Sequence, residues 1–114
     1  MQRHFRLQKN RQFQYVYRRG KSAATKDMVL LFVKGNAVRI GFSVSKKVGN
    51  AVVRNLVRRR LRECFRPHIQ GIKPGSYVVA ARVGAAEASY EKLERDASYL
   101  LKKLDLYLKG NESL

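Results

Sequence analysis

The sequence predicts an α/β (α+β) two-layer sandwich, helices packed on one small four-stranded sheet in the order α-β-β-β-α-β-α. Three observations carry that prediction. Extended apolar or alternating patterns recur at 21–24, 27–34, 38–45 and 77–83, each bounded by glycine, proline or polar residues. Apolar stripes of helical period occupy 10–20, 50–66 and 89–110. A hydrophobic content of 45% with only two prolines, in 114 residues, suits one packed domain over 1–114 rather than a basic tail.

In chain order, residues 1–9 carry Arg3, His4, Arg6 and Lys9 without a regular period, the pattern of an extended basic arm. Asn10 is the expected cap of a first helix in which Phe13, Val16 and Tyr17 form an i, i+3, i+4 stripe. Gly20 is expected to close it in the left-handed conformation that glycine tolerates. Lys21–Ala24 reads as a short edge strand, and Asp27–Lys34, apolar on both faces, as a central one. Gly35-Asn36 then gives the strongest hairpin signal in the chain. Val38, Ile40, Phe42 and Val44 alternate with Arg39, Gly41, Ser43 and Ser45, a half-buried strand whose polar face is small enough to leave room for a ligand.

The segment 46–66, KKVGNAVVRNLVRRRLRECFR, is the signature loop and helix of the chain. At about 100° per residue, Val53, Val57, Leu61, Cys64 and Phe65 share one arc while Arg54, Asn55, Arg58, Arg59, Arg62 and Arg66 share the other. Asn50 is a good N-cap, and Pro67 ends the helix. From Arg54 to Arg66 there are six arginines and no lysine. A guanidinium donates in a planar fork that matches two phosphate oxygens, whereas an ammonium is a point charge. A face kept only for solubility mixes signs, yet Glu63 is the one acid here. The pattern points to a polyanion.

Residues 68–75 read as a loop and Tyr77–Val83 as the last strand. Ser89 caps a final helix with Leu93, Ala97, Leu100, Leu101, Leu104 and Leu108 as one stripe, Glu91, Glu94 and Asp96 near its start, Lys102 and Lys103 near its end, and Gly110-Asn111 as its stop.

Net charge is +17, and its distribution is uneven. Residues 1–75 hold nineteen Lys and Arg against Asp27 and Glu63, whereas residues 76–114 hold six of each sign. The binding surface therefore belongs to the first two thirds. One cysteine excludes an internal disulfide, and with two histidines no zinc-ligand spacing assembles. The longest apolar run, Met28–Val33, is too short to span a bilayer, and no signal-peptide pattern precedes it, so a cytoplasmic protein is expected. A protein nuclease needs clustered carboxylates for metal ions or paired imidazoles for acid–base work. The basic part offers Asp27, Glu63, His4 and His68, scattered along it, so neither a catalytic nor a metal site is expected on the protein itself.

Val48-x-x-Ala51-x-x-Arg54-Asn55-Leu56-Val57-Arg58-Arg59-x-Leu61-Arg62 resembles the signature of the bacterial ribonuclease P protein subunits, and the flanking Gly41–Asn50 resembles the strand and loop leading into it there. The resemblance implies a ribosomal protein S5 domain 2-like fold with a left-handed β-α-β crossover, against the usual hand. It implies the non-catalytic protein subunit of an endoribonuclease ribonucleoprotein. The partners would be a catalytic RNA, whose Mg²⁺ ions do the chemistry, and the single-stranded 5′ leader of precursor tRNA. By motif position, Lys46, Lys47, Arg54, Asn55, Arg58, Arg59 and Arg62 would contact the catalytic RNA. Phe13, Tyr17, Leu31 and Ser43 would line the leader cleft, with Leu31 where other members carry an aromatic and Phe32 on the opposite face. Rings beside cations suit a single strand, because bases stack while phosphates find charge. Without the resemblance, an i, i+4 aromatic pair is what an ordinary core helix shows. The alternatives are a general RNA-binding protein such as a ribosomal one, which explains the charge but not the spacing, and a DNA reader with the arginine helix in the major groove.

Overall fold

The computed structural model describes residues 5–7 and 9–109. Helix α1 (Asn10–Arg19) leads into β1 (Lys21–Ala24), β2 (Met28–Lys34), β3 (Val38–Ser43), α2 (Ala51–Phe65), β4 (Gly75–Ala81) and α3 (Tyr90–Lys103). Short 3-10 turns at Arg66–Gly71 and Val83–Ala86 join the last elements.

The sheet order is β1-β2-β4-β3, with β2 antiparallel to both β1 and β4 and β3 parallel to β4. The hairpin expected at Gly35-Asn36 does not form, because β4 lies between the two strands that this turn joins. Its backbone bonds go to the start of β4 instead: Gly35 N–H donates to the Pro74 carbonyl at 3.3 Å, and Gly75 N–H to the Ala37 carbonyl at 3.1 Å. The reason is burial. Tyr77, Val78 and Val79 in β4 are all fully buried, so that strand takes an interior position with neighbours on both edges.

Strand alternation assigns the two faces. Met28, Leu30 and Phe32 of β2, Ile40 of β3, and Tyr77 and Val79 of β4 form the main core with Val57, Leu61, Cys64 and Phe65 of α2 and Leu93, Ala97, Leu100 and Leu101 of α3. This is the sandwich of sheet and helices that the sequence predicts. Of the three helices described, α1 covers the opposite face, where Val16 packs with Leu7, Leu31 and Val78 in a smaller core.

Asn50 caps α2 as expected, its side-chain oxygen accepting from Val53 N–H at 3.0 Å, and Ser89 caps α3 by accepting from Lys92 N–H at 3.1 Å. Such caps contribute about 1 kcal/mol each. Other boundaries differ from the sequence reading. Asn10 is already helical and Lys9 is the cap residue, its N–H donating to the Gln12 carboxamide oxygen at 3.0 Å. Gly20 is extended, with φ of −77°, not left-handed. A glycine is needed there because an added Cβ would lie 2.6 Å from the Val16 carbonyl oxygen.

Helix α3 stops at Lys103 rather than running on through Leu108. Asp105 adopts a positive φ of 56°, Asp105 N–H donates to the Lys102 carbonyl, and Leu106 N–H donates to the Leu101 carbonyl. This paired C-terminal capping pattern folds the chain back and buries Leu106 in the main core, leaving Leu108 exposed. Gly110-Asn111, the expected stop, lies outside the described residues.

The segment expected as a loop after α2 is partly helical and buried. His68 is 3% exposed, and its Nδ1 lies 3.1 Å from the Tyr107 hydroxyl. Asp96, expected as a helix-end charge, is also buried: it accepts from Thr25 Oγ1 at 2.9 Å and from Lys92 Nζ at 2.9 Å. Lys92 Nζ also lies 3.3 Å from buried Asp27, so one ammonium joins the β1–β2 turn to α3.

Candidate nucleic-acid interface

The face of the sheet under α1 shows three rows of side chains running across the strands. In the central row, Ser22, Leu31, Val78 and Gly41, the last three are buried, with Leu31 and Val78 packed under Val16 of α1, while Ser22 at the β1 edge is exposed. Beside it, Ala24, Val29, Ala80 and Ser43 form a floor of small residues, none of which is buried. Arg11, Gln12, Tyr15 and Arg18 of α1 line a hollow with Ser76, on the far side of the central row. Helical spacing therefore turns Phe13 and Tyr17 toward the floor that holds Ser43. Tyr17 is 40% exposed and so is no core aromatic. Leu31, in contrast, is packed beneath Val16 and supports the floor without presenting a surface.

Phe13 is half-buried over β3, its ring in the space that a side chain on Gly41 would fill. The small polar face read from the sequence is thus filled by an aromatic at Gly41 and open at Ser43. Arg6, Leu7, Phe13, Gly41, Phe42, Arg58 and Arg62 surround one pocket at this edge of the sheet. The sequence treats the arginine helix and the aromatic helix as two surfaces, but the fold joins them here. Arg6 is a member that the sequence pattern places in an unstructured arm. Its neighbour Leu7 is buried, with Leu7 N–H donating to the Ile40 carbonyl at 3.0 Å, which docks this part of the arm on β3. The available signal was an apolar residue inside a basic stretch.

The signature residues divide along α2. Val52, Asn55, Leu56, Arg59 and Arg62 line a shallow concavity on its outer surface, so Arg62 belongs to both hollows. Arg58 is held along the helix by donating to the Asn55 side-chain oxygen at 2.9 Å. Burial, and then the charges of Arg6 and Arg58, lower the Arg62 guanidinium from its ordinary value. Cations gathered in this way repel one another until an anion enters. Arg54 points partly inward, and its Nε is buried with no hydrogen-bond partner among the described residues. Lys46 and Lys47 stand exposed in the turn before α2. Among the described residues, no group of three or more His, Cys, Asp or Glu side chains is placed to hold a metal ion, and no helix is long and apolar enough to cross a membrane.

The family model described as Ribonuclease P matches residues 1–105. The chain belongs to the ribonuclease P protein family. The ribonuclease P protein component of Bacillus velezensis is 39% identical over 114 residues, covering 97% of this chain and 98% of that one. That of Geobacillus kaustophilus is also 39% identical, covering 98% and 96%. Among solved structures, the RNase P protein of Staphylococcus aureus superposes with a TM-score of 0.84 at 33% identity, over 91% of this chain and 98% of that one. The RNase P protein of Thermotoga maritima gives 0.76 at 31%, over 86% and 96%. The chain is therefore a protein subunit of ribonuclease P, acting in tRNA processing, and its mixed four-stranded sheet with three helices is that family's fold.

Proposed function

We propose that this subunit holds two RNAs at once: the catalytic RNA of ribonuclease P on α2 and the turn before it, and the 5′ leader of precursor tRNA in the cleft between α1 and the sheet. The observation that carries this reading is that Phe13 of α1 lines one pocket together with Arg58 and Arg62 of α2. A leader strand beside α1 finds stacking surfaces at Phe13 and Tyr17 over a floor of small side chains. Its phosphates find the arginines that also face the catalytic RNA.

The subunit itself moves no proton and breaks no bond. Mg²⁺ ions bound by the catalytic RNA supply the hydrolytic chemistry, and the protein contributes charge and position in the cytoplasm. Neutralising phosphates near the scission site replaces part of the cation atmosphere, so the protein matters most when Mg²⁺ is scarce. The test is reconstitution with a bacterial catalytic RNA. The chain should accelerate precursor tRNA cleavage strongly at low Mg²⁺ and have no activity alone. An unchanged rate at low Mg²⁺, or cleavage by the purified protein, refutes this reading.

A further inference from the structure

A second basic groove lies away from the Phe13 pocket, at the β1 side of the sheet. Arg19 at the end of α1, Lys21 of β1, Lys34 at the end of β2, and Lys73 with Pro74 before β4 surround it, over the edge of Phe32 and Val33. The β1 edge is the one farthest from β3 in the strand order. Val33 pairs with Ser76, so the groove lies on the other side of the central row from the floor that holds Ser43.

Two of the four cations are held in place. Lys21 Nζ donates to the Leu104 carbonyl at 2.8 Å and stands 5.7 Å from the centre of the Phe32 ring, while Lys73 Nζ lies 3.4 Å from Asp105. That Asp105 carboxylate is 90% exposed, so water screens the pair. Among the described residues, Arg19 and Lys34 make no ion pair at all. Four like charges gathered without a buried counter-charge cost the free protein self-repulsion that a polyanion relieves.

The groove has cations but no open ring. Phe32 is 7% exposed, covered by Lys21 on one side and packed on Tyr77 at 4.8 Å between centroids. A single strand needs a platform on which its bases stack, and none is offered here. A folded RNA presents its phosphates outward and needs only positioned cations.

We propose that this groove binds the phosphodiester backbone of the catalytic RNA, giving the subunit a second anchor on that RNA, across the sheet from the signature helix. This rests on the reading that the catalytic RNA is the partner of α2. The contact is independent of sequence and leaves the floor that holds Ser43 uncovered, because α1 and the central row stand between the two.

The test is the double variant Arg19→Ala with Lys34→Ala, in the full chain, titrated against the catalytic RNA over a range of salt concentrations. The log–log salt slope should become shallower by about 0.7 to 0.9 for each phosphate that is no longer neutralised. Its melting temperature should stay unchanged. The comparison variant Arg82→Ala with Arg95→Ala removes the same charge from positions outside the groove and should leave the slope nearly intact. Equal slopes for the groove variant and the unaltered protein, or equal reductions in both double variants, overturn the proposal. So does a defect confined to holoenzyme binding of precursor tRNA with a long leader, which assigns the groove to the leader. An Arg59→Ala variant in the same titration separates the two failures: if it too changes nothing, the reading of α2 fails as well, and not the groove alone.

Discussion

The ring of Phe13 stands where a Cβ on Gly41 would be, so helix α1 can lie across β3 only because residue 41 has no side chain. One glycine thereby sets how closely the aromatic helix approaches the sheet, and with it the shape of the pocket shared with Arg58 and Arg62. Gly41→Ala should cost about 1 to 3 kcal/mol in a urea melt, the usual penalty for overpacking. Adding Phe13→Ala should make the two effects less than additive, because the clash disappears with the ring. Strict additivity would mean that the contact is not what requires glycine.

Tyr17 tests the cleft. It is 40% exposed, so Tyr17→Ala should leave the melting temperature nearly unchanged. Binding of precursor tRNA to the holoenzyme should weaken by about 1 to 3 kcal/mol, the usual effect of removing the ring beneath one stacked base. Leu31 adds no ring to the floor, which places the expected effect in the lower half of that range. Mature tRNA, which has no leader, should bind as before. Equal weakening for both ligands would place the leader elsewhere.

Arg59 and Arg62 lie off the buried arc of α2, and Arg62 sits among like charges. Replacing either by Ala should weaken binding to the catalytic RNA and flatten the salt dependence by about 0.7 to 0.9 in slope per phosphate. Thermal stability should hold. A sharp fall in melting temperature with affinity and slope intact would make these arginines structural.

His68 gives the fold a pH dependence of definite sign. Burial lowers its pKa from the usual value, outweighing the opposing charge of Glu94. The unfolded chain therefore takes up the proton first as pH falls, and stability is fully present above the unfolded value of about 6.5 and declines below it. Melting temperature should drop between about pH 7 and about pH 5.5, ahead of most carboxylates. His68→Gln, which keeps a partner for the Tyr107 hydroxyl, should flatten that drop; an equally steep profile would assign it to other groups.

Local pattern determined a good deal of this protein. The buried arc of α2, its Asn50 cap, the Ser89 cap, the edge position of β1 and the two faces of β2 and β3 follow from periodicity and from the chemistry of single positions. The spaced arginine signature named the family, because side-chain type at fixed spacing is a property of the chain alone. Tertiary structure decided what covers each face. The Gly35-Asn36 turn carries a hairpin signal, but β4 enters between β2 and β3, since the cost of leaving a strand with Tyr77, Val78 and Val79 at an edge outweighs a local turn preference. Leu106 ends α3 by folding into the core, where a helix continuing to Leu108 would leave it outside. Leu7 draws part of a basic arm onto β3 and sets Arg6 beside Arg58 and Arg62. Periodicity records which side of an element is apolar. Which distant element buries it, and which charges are thereby brought together, is settled only when long-range contacts compete for the same surface.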